Sequence, residues 1–151
     1  MMDVWRAEAE AAVADFRQVA LLGGVTLTAD EPVVEALIAP HRPPSRLPEG
    51  TMAVYGFWGD GQWLKIGKVG AKSNARYTGQ HYNAGSALST LAGSLIKTPP
   101  DDPLFSAERC RDWICTNTHR VNWLMPASRP RELLSLLEAF LHLRLRPRFE
   151  G

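Results

Sequence analysis

The chain has 151 residues, a formal net charge of +1, 45% apolar residues and 22% charged residues. These are the proportions of a folded domain that can bury a core, and they exclude a disordered or fibrous chain. No apolar run reaches the roughly 18 residues of a membrane span. The first twenty residues, acidic and alanine-rich, lack the charged-then-apolar layout of a secretory signal. The expectation is a cytoplasmic protein with no membrane partner. Cys110 and Cys115 stand without further Cys or His at zinc spacing, so two reduced structural thiols are expected.

The charge is unevenly spread. Residues 1–50 hold four basic and eight acidic residues, net −4, and residues 51–151 hold thirteen basic and eight acidic, net +5. A basic C-terminal part is a hint of a polyanionic partner. Two units are therefore expected: an acidic helical extension with a proline-rich linker over 1–50, and a second domain over 51–151.

Residues 3–21 are predicted to be a helix, with Trp5, Ala9, Ala12, Phe16 and Ala20 at three- to four-residue spacing and Gly23-Gly24 as the stop. Val33 to Ala39 is a second short element, helix or strand. Four prolines between residues 39 and 50 predict an extended linker. Two apolar runs, 52–58 and 62–69, flank Gly59-Asp60-Gly61 and predict a tight β-hairpin. A short helix follows over 74–82. Ser86 is positioned to cap another helix over 87–97. Residues 98–103 form a loop, and a third strand is expected around 120–124. Pro130 opens a strongly apolar helix over 130–145 that ends before Pro147. The order predicts an α+β fold: a small three-stranded antiparallel sheet flanked by helices, with an N-terminal helical extension.

Several polar residues interrupt this apolar pattern. Glu138 is the only acid between residues 133 and 149. In the middle of an apolar helix it must meet a cation, a metal or solvent in a cleft, or else sit at the helix's exposed edge. His142 lies one turn later on the same face. Tyr55 shares a strand face with Phe57. Lys65, on the second hairpin strand, is expected close to Tyr55 across the turn, where an ammonium would lower the phenol pKa. The bland readings are a half-buried strand tyrosine and a solvated lysine. Arg76, with Gln80 and His81 one turn later, has the right chemistry to fork onto a phosphate, or is a surface arginine.

Taken as an ordered set, these positions resemble the GIY-YIG nuclease superfamily over about residues 52–151. Ala53-Val54-Tyr55 matches its first motif and Lys65-Ile66-Gly67 its second. Arg76 matches its helix arginine, Glu138 its metal-binding glutamate, and residues 145–151 its closing segment. Lys65 stands in place of a tyrosine, Ala53 in place of a glycine, and Glu150 in place of an asparagine. Gln80 takes the usual histidine spacing, with His81 one residue later. The resemblance implies a DNA endonuclease using one Mg²⁺ or Mn²⁺. Tyr55 is then the general base, Glu138 the metal ligand and Arg76 the transition-state stabiliser; Lys65 and the metal lower the phenol pKa, and His81 is an extra phosphate or proton contact. Lys68, Lys72, Arg120, Arg144, Arg146 and Arg148 are expected on a surface that tracks the DNA backbone. Two other readings remain: a catalytically degenerate nucleic-acid-binding module on the same scaffold, and an interaction domain. In the last, residues 1–50 meet a partner protein or a second copy, or cover the chain's own basic face.

Overall fold

The computed structural model describes residues 3–85 and 90–149. Its elements, in chain order, are α1 (Val4–Leu22), β1 (Val33–Leu37), β2 (Thr51–Gly59), β3 (Gln62–Val69), α2 (Asn74–Thr78), a 3-10 turn (Gln80–Tyr82), α3 (Leu91–Lys97), α4 (Cys110–Asn117), β4 (His119–Pro126) and α5 (Arg131–Leu145). The class is α+β, as expected. The sheet has four antiparallel strands rather than three, in the order β1-β4-β2-β3. The extra strand is the ambiguous segment after Pro32, which pairs Val33 with Leu124 and Leu37 with Arg120. The boundary expected at residue 50 therefore falls between two strands of one sheet.

β2 and β3 are joined by the two-residue turn Asp60-Gly61, with φ of 53° and 76°. Positive φ at both central positions gives the turn whose twist matches a hairpin. The ladder then shifts register between Phe57 and Trp58. Trp63 pairs with Trp58 but Lys65 pairs with Phe57, so Leu64 is the extra residue of a β-bulge.

Each face of the sheet carries its own core. On one face α1 and α5 bury Ala12, Phe16, Leu134, Leu137 and Leu141 against Val54, Ile66 and Trp123. Trp123 Nε1 donates to the Ala9 carbonyl at 3.3 Å, and Trp5 stacks on His119 at 4.3 Å. The acidic first helix is thus part of this layer. On the other face Tyr55, Phe57 and Leu64 pack with Tyr77, Tyr82, Leu91, Leu95, Trp113 and Ile114 from α2, the 3-10 turn, α3 and α4.

Other expectations shift in detail. The helix expected over 74–82 divides into α2 and the 3-10 turn. α4 was not foreseen. The helix before residue 98 is α3, capped by the Thr90 hydroxyl, which accepts from Gly93 N–H at 3.0 Å; Ser86 lies outside the described residues, as does Glu150. Pro130 is the N-cap of α5 rather than its first residue. The 39–50 segment is irregular but pinned, with His41 N–H on the Cys115 carbonyl at 2.8 Å and Leu47 N–H on Asn74 Oδ1 at 2.7 Å. Both cysteines are free thiols, Cys110 buried and Cys115 half-buried. No helix among the described residues is long and apolar enough to cross a membrane.

Candidate active site at the edge of β3

β3 is an edge strand, so groups from both faces of the sheet can meet around it. The start of its free edge is covered by the closing segment, where Arg148 N–H donates to the Trp63 carbonyl and Phe149 N–H to the Leu64 carbonyl, each at 2.9 Å. Next along the edge, His142 of α5 donates from Nε2 to the Ile66 carbonyl at 3.0 Å. Beyond it lies a small polar pocket of about 220 Å³. Lys65, Gly67 and Lys68 line it from β3, Arg76 from α2, and Glu138 and His142 from α5.

Glu138 meets a cation and a cleft at once. It projects from α5 one turn before His142 and accepts from Lys68 Nζ at 3.1 Å, with both side chains partly exposed. Lys68 is thus held by this carboxylate.

Tyr55 lies on the other face of the sheet and is 0% exposed. Its cross-strand partner is Gly67. A Cβ built on Gly67 would lie 2.7 Å from the phenol oxygen and 3.0 Å from Cζ. Only glycine leaves room for the ring to cross β3 towards its edge. There the oxygen is hydrogen-bonded by Arg76, which also lines the pocket. On its other side it lies 2.6 Å from His81 Nε2. The Leu91 N–H donates to His81 Nδ1 at 3.0 Å, so that nitrogen carries no proton. The neutral ring therefore has its proton on Nε2 and donates it to Tyr55. Burial, followed by the charges of Arg76, Arg120 and Lys65, drives the His81 pKa down to about 2 and keeps the ring neutral.

Several expectations change. His81, expected as a phosphate or proton contact, is buried beneath Tyr55 and hydrogen-bonds its phenol, which leaves it the second role and not the first. The phenol pKa is not lowered. Burial pushes it up to about 12, against the opposing charges of Arg76 and Arg120. Arg120 is 0% exposed and belongs to the interior rather than a DNA-tracking surface. Lys65 lies two residues from the predicted register, opposite Phe57. In an unbroken hairpin it would pair with Gly56 and face α5. The bulge turns it onto the face that carries Tyr55, as its diagonal neighbour. Burial, then Arg76, lowers its pKa.

The remaining basic residues are dispersed. Lys72 is exposed and lines a separate pocket of about 210 Å³ with Arg131, which was not among the expected basic residues. Arg144 is ion-paired with Asp15. Arg146 is exposed and caps α5 with φ of 50°, and Arg148 lies over the Phe149 ring at 4.9 Å.

The cation implied at Glu138 can be judged from donor chemistry. No group of three or more His, Cys, Asp and Glu side chains suited to a metal exists among the described residues. Mg²⁺ keeps several waters and is commonly held by one or two carboxylates plus substrate phosphate. One carboxylate in a pocket of this volume fits a weakly held, hydrated ion, with Lys68 as its competitor for the same oxygen. No family model, curated protein or solved structure matches the chain.

Proposed function

We propose that the chain is a metal-dependent endonuclease of the GIY-YIG type that hydrolyses DNA phosphodiester bonds. The observation that supports it best is the meeting of residues 65, 76 and 138 around one small polar pocket, with Arg76 also bonded to the phenol of Tyr55. Packing alone gives no reason to gather an acid, an arginine and a buried lysine at one strand edge.

The chemistry follows from the contacts. A phosphate in the pocket meets Arg76 and Lys65, whose charges stabilise the oxygens of the transition state. As Arg76 turns onto the phosphate, the phenol oxygen opens to the pocket. In its ionised form, scarce at neutrality because burial raises its pKa, Tyr55 takes a proton from the attacking water as the water oxygen bonds to phosphorus, and the opposite P–O bond breaks, with the leaving oxygen protonated by solvent. The His81 N–H on the phenol oxygen stabilises the phenolate that accepts this proton. Glu138 would hold a divalent cation, which would supply positive charge to offset the charge developing on the leaving oxygen.

A non-catalytic nucleic-acid-binding module is the second reading. It is favoured by the Lys68 ion pair, which already neutralises Glu138, and by the raised phenol pKa. Plasmid incubated with the protein and Mg²⁺ or Mn²⁺, with and without chelator, separates the two. Metal-dependent nicking that disappears in Glu138→Ala, with the fold unchanged by circular dichroism, is the expected result. Full cleavage by that variant removes the mechanism, and a gel shift in chelator with no cleavage selects the binding module.

A further inference from the structure

Arg120 lies on β4, beside β2, at the centre of the face that carries Tyr55. Its guanidinium carbon is 4.9 Å from the ring centroid of Tyr55, 4.8 Å from that of Tyr77 and 5.3 Å from that of Phe57. It donates to Asn122 Oδ1 at 2.8 Å, to the Tyr77 carbonyl at 2.7 Å and to the Tyr82 hydroxyl at 3.4 Å. Among the described residues no carboxylate lies within ion-pair distance of it. The acid linked to it is Glu35, one amide away, which accepts from Asn122 Nδ2 at 2.8 Å.

A buried cation without a contacting carboxylate is destabilising, and three aromatic faces offset that only in part. A long apolar side chain would fill the same gap between the rings without the desolvation penalty. The charge therefore calls for a reason beyond packing. Two of the three hydrogen bonds supply one. Tyr77 follows Arg76 and Tyr82 follows His81, and Arg76 and His81 are the two donors on the Tyr55 oxygen.

We propose that Arg120 is a positioning residue for Tyr55: it clamps the segment carrying Arg76 and His81 onto β4 and keeps a fixed positive charge behind the phenol ring. The reaction assigned to Tyr55 rests on the nuclease reading; the clamp and the charge do not. The ionisable groups around the phenol are Lys65 on β3, Arg76 and Tyr77 on α2, His81 on the 3-10 turn, Arg120 on β4 and Glu138 on α5. With His81 neutral, Arg120 is the one of these cations that does not line the pocket. Substrate therefore cannot draw it away, and its charge opposes the effect of burial on the phenol throughout the reaction.

The test is a ¹⁹F NMR titration of the full chain labelled with fluorotyrosine, whose phenol is more acidic, with Tyr55 assigned from Tyr55→Phe. Arg120→Gln is expected to raise the Tyr55 phenol pKa by about 1 unit or more. Arg120→Lys, which keeps the charge and loses the fork, is expected to leave it near the wild-type value. Equal titration in the wild type and both variants, or the same displacement in both, would reduce Arg120 to packing and overturn the proposal. If Arg120→Gln does not fold, Glu35→Gln serves, because Glu35 is exposed on an edge strand. Removing that acid strengthens the positive field and should lower the Tyr55 pKa; an unmoved pKa overturns the proposal. Plasmid cleavage measured alongside keeps the outcomes apart, since absence of cleavage by the wild type strikes the nuclease reading and leaves the titration result standing.

Discussion

Behind α1 and α5 the sheet is lined with Val54, Ile66, Val121, Trp123 and Met125, and the helices answer with alanine, leucine and phenylalanine. Behind α2, α3 and α4 the buried side chains include Lys65, His81, Thr118, Arg120 and Asn122. Both faces exclude water. The first is held by apolar area and tolerates any side chain of suitable volume. The second is held by hydrogen bonds that must each find a partner, so its geometry is specific. Functional groups placed on the second face inherit fixed orientations. The proposed site lies where the two meet, with Tyr55, Lys65 and Arg76 from the polar side and Glu138 from the end of the apolar one.

Substitutions that break one face at a time separate these roles. Arg76→Ala is expected to reduce turnover by about 100- to 1000-fold, as the loss of a transition-state donor does. DNA affinity in chelator and thermal stability should change little. A fall in binding that matches the fall in turnover would make Arg76 a phosphate anchor only. Leu137→Ala is the converse. Leu137 is 0% exposed in the apolar core, so its truncation should destabilise the fold by about 2–5 kcal/mol. Cleavage by the folded fraction should be nearly normal, which a urea melt and a nicking assay on the same sample can establish.

Gly67→Ala joins the two faces. Its methyl would collide with the buried ring of Tyr55, which cannot move away into solvent. A loss of about 1–3 kcal/mol is expected, together with a marked loss of cleavage. Gly70→Ala is the control, because its Cβ would meet only Arg131 at 3.7 Å, an ordinary contact. It should be neutral within about 0.5 kcal/mol. Equal effects at both positions would mean that Tyr55 does not need this passage across β3.

The phenol also fixes how cleavage responds to pH. Its pKa is raised, so the base form is scarce at neutrality and grows as pH rises. Cleavage should climb about tenfold per pH unit between roughly pH 7 and 9, without a plateau at neutrality. A flat profile over that range would remove Tyr55 as the base.

The difference between the faces also explains what the sequence made legible. The hairpin was plain from period-two alternation around Gly59-Asp60-Gly61, and α1 and α5 from apolar residues at helical spacing. β1 was ambiguous because it is five residues long and partly exposed, and its partner lies more than eighty residues away. α4 went unseen in CysArgAspTrpIleCysThrAsn, although Cys110, Trp113 and Ile114 recur at three- and four-residue intervals and are its buried positions. The polar core was misread for a related reason. Arg120 and Asn122 alternate with Val121 and Trp123, the pattern of a strand with one wet face. That face is instead roofed by three helices, and no local pattern reports a roof supplied by distant segments. Motif order led to the expectation that residues 55, 65, 76 and 138 converge on one open pocket; 65, 76 and 138 line it, whereas Tyr55 is fully buried on the opposite face from Glu138 and does not. The bulge at Leu64, the passage over Gly67 and the His81 contact were not expected.

The smallest expected effect sharpens the choice between enzyme and binding module. Lys68 comes from β3 and Glu138 from α5, and their contact is partly exposed, so the pair contributes at most about 1 kcal/mol to stability. Lys68→Met should therefore change the melting temperature little. Its effect on metal dependence has a definite sign. With the ammonium gone, Glu138 loses the cation that competes for its Oε1, and the Mg²⁺ concentration giving half-maximal cleavage should fall several-fold. Overall DNA affinity should drop slightly, because one positive group near the phosphate is lost, and its salt dependence should become shallower. In a binding module only the second change occurs. An unchanged Mg²⁺ requirement alongside weakened DNA binding would mean that Glu138 holds Lys68 in place for a phosphate and never exchanges it for a metal.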